Sequence, residues 1–371
     1  MNMIGHLDLI KKINRSLILE KIKTDQPISR ATIAKRLSLS KSTVSTIVDE
    51  LLEKKLVIEL GEQTATKGGG RPALMIGFNP KSAYAIGVDI DRQKIVVLIT
   101  DLVGAIVYRK KLECTNQIDE LVSIIKNCLS DSNIAEDKII GMGIGVPGIT
   151  DTKTVFSAKA LRWTNLNVHQ LISKQFAFPV FINNDVNCAG LGEMWLGSGR
   201  NSNHLFFIEI GMSIGSAIIS NGNLVYGYNY QSGEIAYQMS KGDFEQKRFN
   251  LPNGSGVFEN KVSGTALAGH GMSIKALFER YANGDSEVVP VVDNFIVELS
   301  IAIANAVNLL NPERVIIGGD VSEYMGVVMN EIQKMVDNLT PIRTNIRLAS
   351  LGSDAGPLGA ISFAFKQIEH S

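Results

Sequence analysis

The sequence predicts an α/β protein: an N-terminal winged helix-turn-helix followed by a larger two-lobed α/β body. Three observations predict it. The first 55 residues carry three successive helical periodicities, the third opening on Ser and Thr. Two short β-rich runs joined by a Gly-rich segment follow them. A three-strand pattern beginning at Tyr84 then returns at Leu205.

The elements of the head come first. From about Leu7 to Ile22, apolar side chains at Leu9, Ile10, Ile13, Leu17 and Ile22 fall near the 3.6-residue period of a helix. Pro27 ends that segment, and Ser29 can cap a short second helix bearing Ala31, Ile33, Ala34 and Leu37. Ser38-Leu39-Ser40 reads as a tight polar turn. Ser40 can cap a third helix with the apolar stripe Val44, Ile47, Val48, Leu51 and Leu52. Its other face offers Lys41, Ser42, Thr43, Ser45 and Thr46. Short donors and acceptors at a helix N-terminus are the side chains that read base edges and phosphates in a major groove. With Arg30 and Ser40, these five are the candidate DNA-contacting residues. The alternative is an ordinary three-helix bundle with a solvated polar face.

Leu56–Leu60 and Ala73–Phe78 read as two short strands of a wing, connected through Gly68-Gly69-Gly70-Arg71-Pro72. An arginine at such a tip can enter a narrow A·T-rich minor groove, where the negative potential is greatest. Arg71 is therefore a further DNA-contacting candidate; its plainer reading is a solvated linker charge.

Charge supports a nucleic-acid-binding head. The chain has 37 basic and 37 acidic residues in 371, a formal net charge of zero. Residues 1–81 hold 14 Lys/Arg against 8 Asp/Glu, so 14 − 8 = +6, which leaves 23 − 29 = −6 for residues 82–371. A basic head on an acidic body suits DNA at one end. With 45% apolar residues, wholesale disorder is excluded. No uninterrupted apolar run approaches the ~18–20 residues of a membrane span, and the N-terminus has no apolar core of a signal peptide. Cys114, Cys128 and Cys188 are widely separated and odd in number, which fits a reducing compartment. The expected location is the cytoplasm, with no membrane partner.

In the body, Tyr84–Ile90, Lys94–Thr100 and Ala105–Lys111 read as three strands with a turn at Asp101-Leu102-Val103-Gly104. Leu205–Ile210, Gly215–Ser220 and Leu224–Tyr226 repeat the pattern around Asn221-Gly222-Asn223. A duplicated meander suggests the actin-like ATPase architecture, two lobes facing a cleft.

Four stretches carry a resemblance to a known family. They are Gly143-Ile144-Gly145-Val146-Pro147-Gly148, Asn183-Asn184-Asp185-Val186-Asn187-Cys188-Ala189-Gly190-Leu191-Gly192-Glu193, Ser232-Gly233-Glu234-Ile235, and Asn311-Pro312-Glu313-Arg314-Val315-Ile316-Ile317-Gly318-Gly319. The sequence resembles the ROK family of repressors, open reading frames and sugar kinases over essentially its whole length. The winged helix looks like that of the repressor branch, typified by xylose and N-acetylglucosamine repressors. The resemblance implies a winged helix over 1–78, a first lobe over 79–188 joined by the C-terminal helix at about 357–371, and a second lobe over 189–356.

It also says what to expect of the site. Asp185 matches the family's catalytic aspartate. A carboxylate there can accept a hydroxyl proton during phosphoryl transfer, hold a sugar without chemistry, or cap the helix at Val186–Glu193. The family's first phosphate loop, Asp-x-Gly-Gly-Thr, is here Asp89-Ile90-Asp91-Arg92-Gln93. The second, Gly-Thr-Gly-Ile-Gly-Gly-Gly, is here Gly211-Met212-Ser213-Ile214-Gly215-Ser216-Ala217. Glycines that let backbone N–H groups approach phosphate are gone from both, and Asp91 adds negative charge. Kinase activity is therefore expected to be lost, with no cofactor required.

A zinc-stabilised loop is likewise expected to be missing. The family's histidine is here Tyr237, and its three cysteines fall at Asn250, Pro252 and Val257, none of which replaces a thiolate on Zn²⁺. No metal is expected. Asn184, Asp185, Glu234 and Glu259 remain as sugar-binding candidates, with Tyr237 as a new aromatic wall. The expected function is a transcriptional repressor of carbohydrate genes. Its partners are operator DNA and a sugar effector, and it is a homodimer or dimer of dimers. The enzyme alternative is a sugar kinase that has kept a DNA-binding arm.

Overall fold

The computed structural model describes residues 3–63, 73–250 and 255–369. Arg71 and Pro72 of the wing, and Pro252 of the loop that replaces the zinc ligands, lie outside the described residues. The chain divides into two units, 1–84 with Asp101–Val103, and 85–100 with 104–371.

In the first unit, α1 (Met3–Asp25), α2 (Arg30–Leu37) and α3 (Lys41–Glu53) precede the wing strands β2 (Val57–Gln63) and β3 (Ala73–Phe78). A two-residue strand, β1 (Ile28–Ser29), pairs antiparallel with β3, giving the sheet order β1-β3-β2. Both predicted serine caps are present: Ser29 Oγ accepts the Thr32 N–H at 3.2 Å, and Ser40 Oγ accepts the Thr43 N–H at 3.0 Å. Ser38 ends α2 in the left-handed region (φ 54°), which lets the chain turn sharply into α3. The core joins Ile18 and Ile22 of α1, Ile33 of α2, Val44, Ile47, Val48 and Leu51 of α3, and Val57, Ile76 and Phe78 of the wing. Leu102 packs on the same core, and its N–H donates to the Pro80 carbonyl at 3.1 Å.

The second unit contains two five-stranded sheets. The first is made of β4 (Tyr84–Ile90), β5 (Lys94–Asp101), β6 (Ile106–Glu113), β7 (Ile139–Val146) and β11 (Val180–Asn184). α4 (Ile118–Asp131) links β6 to β7. An inserted three-stranded sheet, β8 (Ile149–Thr150), β9 (Val155–Ala158) and β10 (Trp163–Leu166), and a short helix α5 (Val168–Ser173) lie between β7 and β11. α6 (Asp185–Leu196) leaves the end of β11.

The second sheet is made of β12 (Leu205–Ile210), β13 (Ile214–Ser220), β14 (Asn223–Leu224), β15 (Arg314–Gly318) and β16 (Asn345–Leu348). Short helices α7 (Lys241–Glu245), α8 (Glu259–Val262), α9 (Gly264–Ala268) and α10 (Ile274–Ala282) fill the long β14–β15 connection. They lead into α11 (Val289–Leu310), and α12 (Met329–Leu339) joins β15 to β16. The chain closes on α13 (Ala355–Glu369).

The sheet orders are β11-β7-β4-β5-β6 and β14-β13-β12-β15-β16. Numbered within each half, and with the second order read from its β16 end, both run fifth, fourth, first, second, third, so the duplication foreseen from two meanders extends to all five strands. The third strand of the second meander is shorter than expected, Asn223–Leu224 rather than Leu224–Tyr226; the Tyr226 carbonyl accepts the Ser232 N–H at 3.1 Å. By length and composition α11 could cross a membrane, yet Asp293 and Glu298 lie along it. Ten of its side chains, including Phe295, Leu299 and Ile303, are buried within the second lobe, so a core role accounts for its apolar character.

α13 and α6 pack backbone to backbone. A Cβ on Gly359 would fall 1.6 Å from the Cys188 carbonyl oxygen, and one on Gly192 would fall 2.2 Å from that of Ala355. Beyond this contact, the buried Glu193 carboxylate accepts the backbone N–H groups of Ser198 at 2.7 Å, Ser350 at 2.9 Å and Leu351 at 2.8 Å. The motif glutamate thus ties the end of α6 to the segment that enters α13. It is a structural hub.

Candidate functional site

The head presents its candidates from α2 and α3. Because Ser40 caps α3, the helix begins with its free N–H groups and Lys41, Ser42 and Thr46 facing solvent. Such an end attracts phosphate through aligned peptide dipoles. The remaining candidates are partly engaged inside the head. Arg30 donates through Nη1 to Ser45 Oγ at 2.9 Å and pairs through Nη2 with Asp49 Oδ1 at 2.7 Å. Ser40 Oγ lies 2.7 Å from Thr43 Oγ1 and 2.9 Å from Ser42 Oγ. Seven of the eight DNA candidates therefore lie together on the α2–α3 pair, and Arg71 lies outside the described residues.

In the body, Asn184 and Asp185 stand where β11 turns into α6. Asn184, and not Asp185, is the N-cap: its Oδ1 accepts the Asn187 N–H at 2.9 Å. Asn184 Nδ2 donates to the Gly148 carbonyl at 3.0 Å and to Asp185 Oδ1 at 2.9 Å, so the Gly143–Gly148 motif positions the asparagine. The capping reading of Asp185 is thereby corrected. Asp185 is the first helical residue, and its Oδ1 accepts its neighbour's N–H, from Val186, at 2.9 Å.

Glu234, Tyr237 and Glu259 form a second group. Burial, and then the Glu259 charge, raise the Glu234 carboxyl above its usual range. The Tyr237 phenol is raised by burial and then by the charges of both glutamates. Gly233, which precedes Glu234, adopts φ +88° with its absent Cβ against the Ser216 carbonyl, while Ser216 Oγ donates to the Gly233 carbonyl at 2.7 Å. The strand β13 that carries Ser216 also packs Gly215 on Val186. β13 therefore joins the two groups from behind.

Two residues that sequence reasoning missed lie beside the first group. Asn183 Nδ2 donates to the Tyr226 hydroxyl at 3.0 Å, and the Tyr226 and Tyr230 rings lie 5.4 Å apart. Asn183 lay inside a motif already quoted, but Tyr226 carried no local signal. A separate recess of about 480 Å³ beside Asn116, Arg162, Trp163 and Gln175 includes none of the five sugar candidates.

The phosphate-loop positions are acidic and internally bonded. Asp89 Oδ1 is buried without a hydrogen-bond partner. Burial, and then the charges of Glu209 and Asp91, push Asp89 up to about 8. Burial, Asp91 and Asp320 push Glu209 up to about 7. Asp185 is raised well above the carboxylate range by burial, Glu209 and Asp89. Lys94 offsets part of this charge, 4.0 Å from Asp320. In the second loop Gly211 spends its N–H on the Ser213 carbonyl at 2.9 Å, and Thr265 Oγ1 donates to the Met212 carbonyl at 2.6 Å. The Gly211 N–H, a backbone donor a phosphate would need, is consumed, and the Asp91 and Asp320 charges that act on Glu209 would repel one. These residues do not fit a nucleotide polyphosphate.

Nor do those at the former thiolate positions fit zinc. Asn250 Nδ2 donates to the Tyr237 carbonyl and its Oδ1 accepts the Val257 N–H, each at 2.8 Å, so the amide is committed to backbone. Among the described residues no group of three His, Cys, Asp or Glu is arranged to hold a metal.

The ROK family pattern matches residues 85–367, three quarters of the chain. The chain belongs to the ROK family. Residues 13–58 match the MarR family pattern, which places a MarR-type helix-turn-helix before the ROK body. The xylose repressor of Bacillus spizizenii is 30% identical over 378 residues, covering 97% of this chain and 96% of that one. A glucokinase of Halalkalibacterium halodurans is 28% identical over 330 residues, covering 78% of this chain and 96% of its own. A solved ROK family transcriptional regulator, described as a homolog of the E. coli MLC protein, superposes with a TM-score of 0.77 at 21% identity, covering 95% of each chain. The glucokinase match covers 78% of this chain, whereas the repressor and the ROK regulator cover 97% and 95% of it.

Proposed function

We propose that this ROK protein is a sugar-responsive, DNA-binding transcriptional repressor of carbohydrate-utilisation genes. One observation carries the reading: a Ser40-capped α3 with Lys41, Ser42 and Thr46 exposed on a winged scaffold. Similarity to a xylose repressor over nearly the whole chain supports it. The five sugar candidates give the body hydroxyl-binding chemistry: Asn184 and Asp185 from one lobe's edge, Glu234, Tyr237 and Glu259 from the other. The crowded carboxylates and bonded loops favour a body that senses a sugar without transferring phosphate.

As a homodimer, or a dimer of dimers, the protein would hold two α3 helices about 34 Å apart, or a multiple, to meet successive major grooves. A sugar that binds one lobe arrangement better than another shifts the population toward it, and respacing the helices by a few Å loosens the operator. The test is selection of genomic fragments by the purified full chain, with and without D-xylose, D-glucose or N-acetyl-D-glucosamine. The expected result is enrichment of sites beside carbohydrate genes, lost with one of the sugars. Failure to enrich any sequence overturns the reading.

The second reading is a sugar kinase with a DNA-binding arm, favoured by the retained Asn184–Asp185 pair and by similarity to a glucokinase. Sugar-dependent ATP turnover abolished by Asp185→Asn would establish it in place of the first.

A further inference from the structure

Glu234 and Glu259 belong to two chain segments far apart in sequence, and a single side chain joins those segments. The Asn250 amide donates to the Tyr237 carbonyl and accepts from the Val257 N–H, both at 2.8 Å. Tyr237 lies three residues after Glu234, and Val257 lies two before Glu259. The segments also touch directly. Phe258 N–H donates to the Ala236 carbonyl at 3.1 Å, and a Cβ on Gly256 would fall 2.0 Å from the same oxygen. Glu259 Oε2 in turn accepts the Gly256 N–H at 3.2 Å.

We propose that Asn250 is the positioning residue of the effector site, its amide clasping the Glu234 segment to the Glu259 segment so that both carboxylates face one polyol ligand. This rests on the effector-site reading given above. The physical need is plain. Two like charges that share a partly buried site repel each other, and each lost hydrogen bond would let the segments part. Asparagine supplies a donor and an acceptor from one short planar group, so it can bridge a carbonyl and an N–H at once. Aspartate keeps only the acceptor, and alanine keeps neither. Asn250 touches no ligand in this reading; it acts through the two glutamates.

The experiment compares wild type, N250A and N250D as full chains. Amide hydrogen exchange at Val257 reads the clasp without any sugar. Calorimetric titration with D-xylose, D-glucose and N-acetyl-D-glucosamine reads the site. Loss of the clasp in N250A is expected to speed Val257 exchange and to weaken sugar binding by about tenfold, one lost hydrogen bond plus misplacement. N250D, which retains the Val257 acceptor, is expected to keep slow Val257 exchange and to bind with intermediate affinity. Unchanged Val257 exchange in N250A overturns the clasp. Faster exchange with sugar affinity equal to wild type overturns the positioning role. A wild type that binds none of the three sugars overturns the effector-site reading and the positioning role with it. Should N250A fail to fold, N250D alone decides, since a merely structural role predicts wild-type sugar affinity for it.

Discussion

The Asp49 carboxylate of α3 holds the Arg30 guanidinium of α2 at 2.7 Å, on the face that carries the other DNA candidates. The pair is partly exposed, so it contributes little to folding, about 0–1 kcal/mol. Its effect falls on binding, because an arginine shared with an acid is a weaker phosphate ligand.

Asp49→Ala is therefore expected to tighten DNA binding and to steepen its salt dependence, adding about one released counterion to the log–log slope. Arg30→Ala is expected to do the reverse. Fluorescence anisotropy with a fixed duplex between low and physiological salt checks both. Weaker binding by Asp49→Ala would show that the pair shapes α3 rather than masking a cation.

Gly359 leaves no space for a side chain where α13 crosses α6. Gly359→Ala must displace backbone on one helix or the other, an overpacking cost of about 1–3 kcal/mol. A lowered melting temperature for the body, with the α-helical circular dichroism of the native state retained below it, is the expected result. An unchanged midpoint would mean the two helices separate at little cost.

The carboxyl cluster makes stability depend on pH. Asp89 is raised to about 8 and Glu209 to about 7 in the folded protein, mainly by burial. In the unfolded chain both release their protons near pH 4. Between these limits the unfolded state binds fewer protons than the folded one, so stability is full below about pH 4 and falls as pH rises toward 8. The melting temperature at constant ionic strength should decline from pH 5 to pH 8. Asp89→Asn should flatten that decline, raising the midpoint more at pH 8 than at pH 5. Parallel curves for the two proteins would exclude Asp89 as a source of the dependence.

Much of this was legible in the chain. Helical period, serine caps and strand alternation are local properties, and they located α2, α3, β3, β4 and β12 within a residue or two. What periodicity does not reveal is the partner. Ile10, Ile13 and Leu17 of α1 belong to the predicted stripe yet are 51%, 49% and 47% exposed, while Ile18 and Ile22 enter the core. Strand β1 has two residues, too few for any period; β3 alone defines it. The cap at Asn184 was hidden because Asn and Asp stand side by side and either can cap. Asn250 could be read only as a missing thiolate, since its two bonds reach residues 13 and 7 positions away. Long-range pairing of this kind leaves no spacing to count.

The anchoring of α6 at both ends has a mechanical outcome. Its twelve residues form a rod about 18 Å long. Asn184 and Asp185 sit at one tip; Glu193 pins the other, where Trp195 and Leu196 lie against Gly104 in the β5–β6 turn. A rod held in this way cannot pivot about one tip. A force at Asn184 and Asp185 therefore reaches α13 and the Gly104 turn as the motion of one rigid body, with no loop having to refold to pass it on.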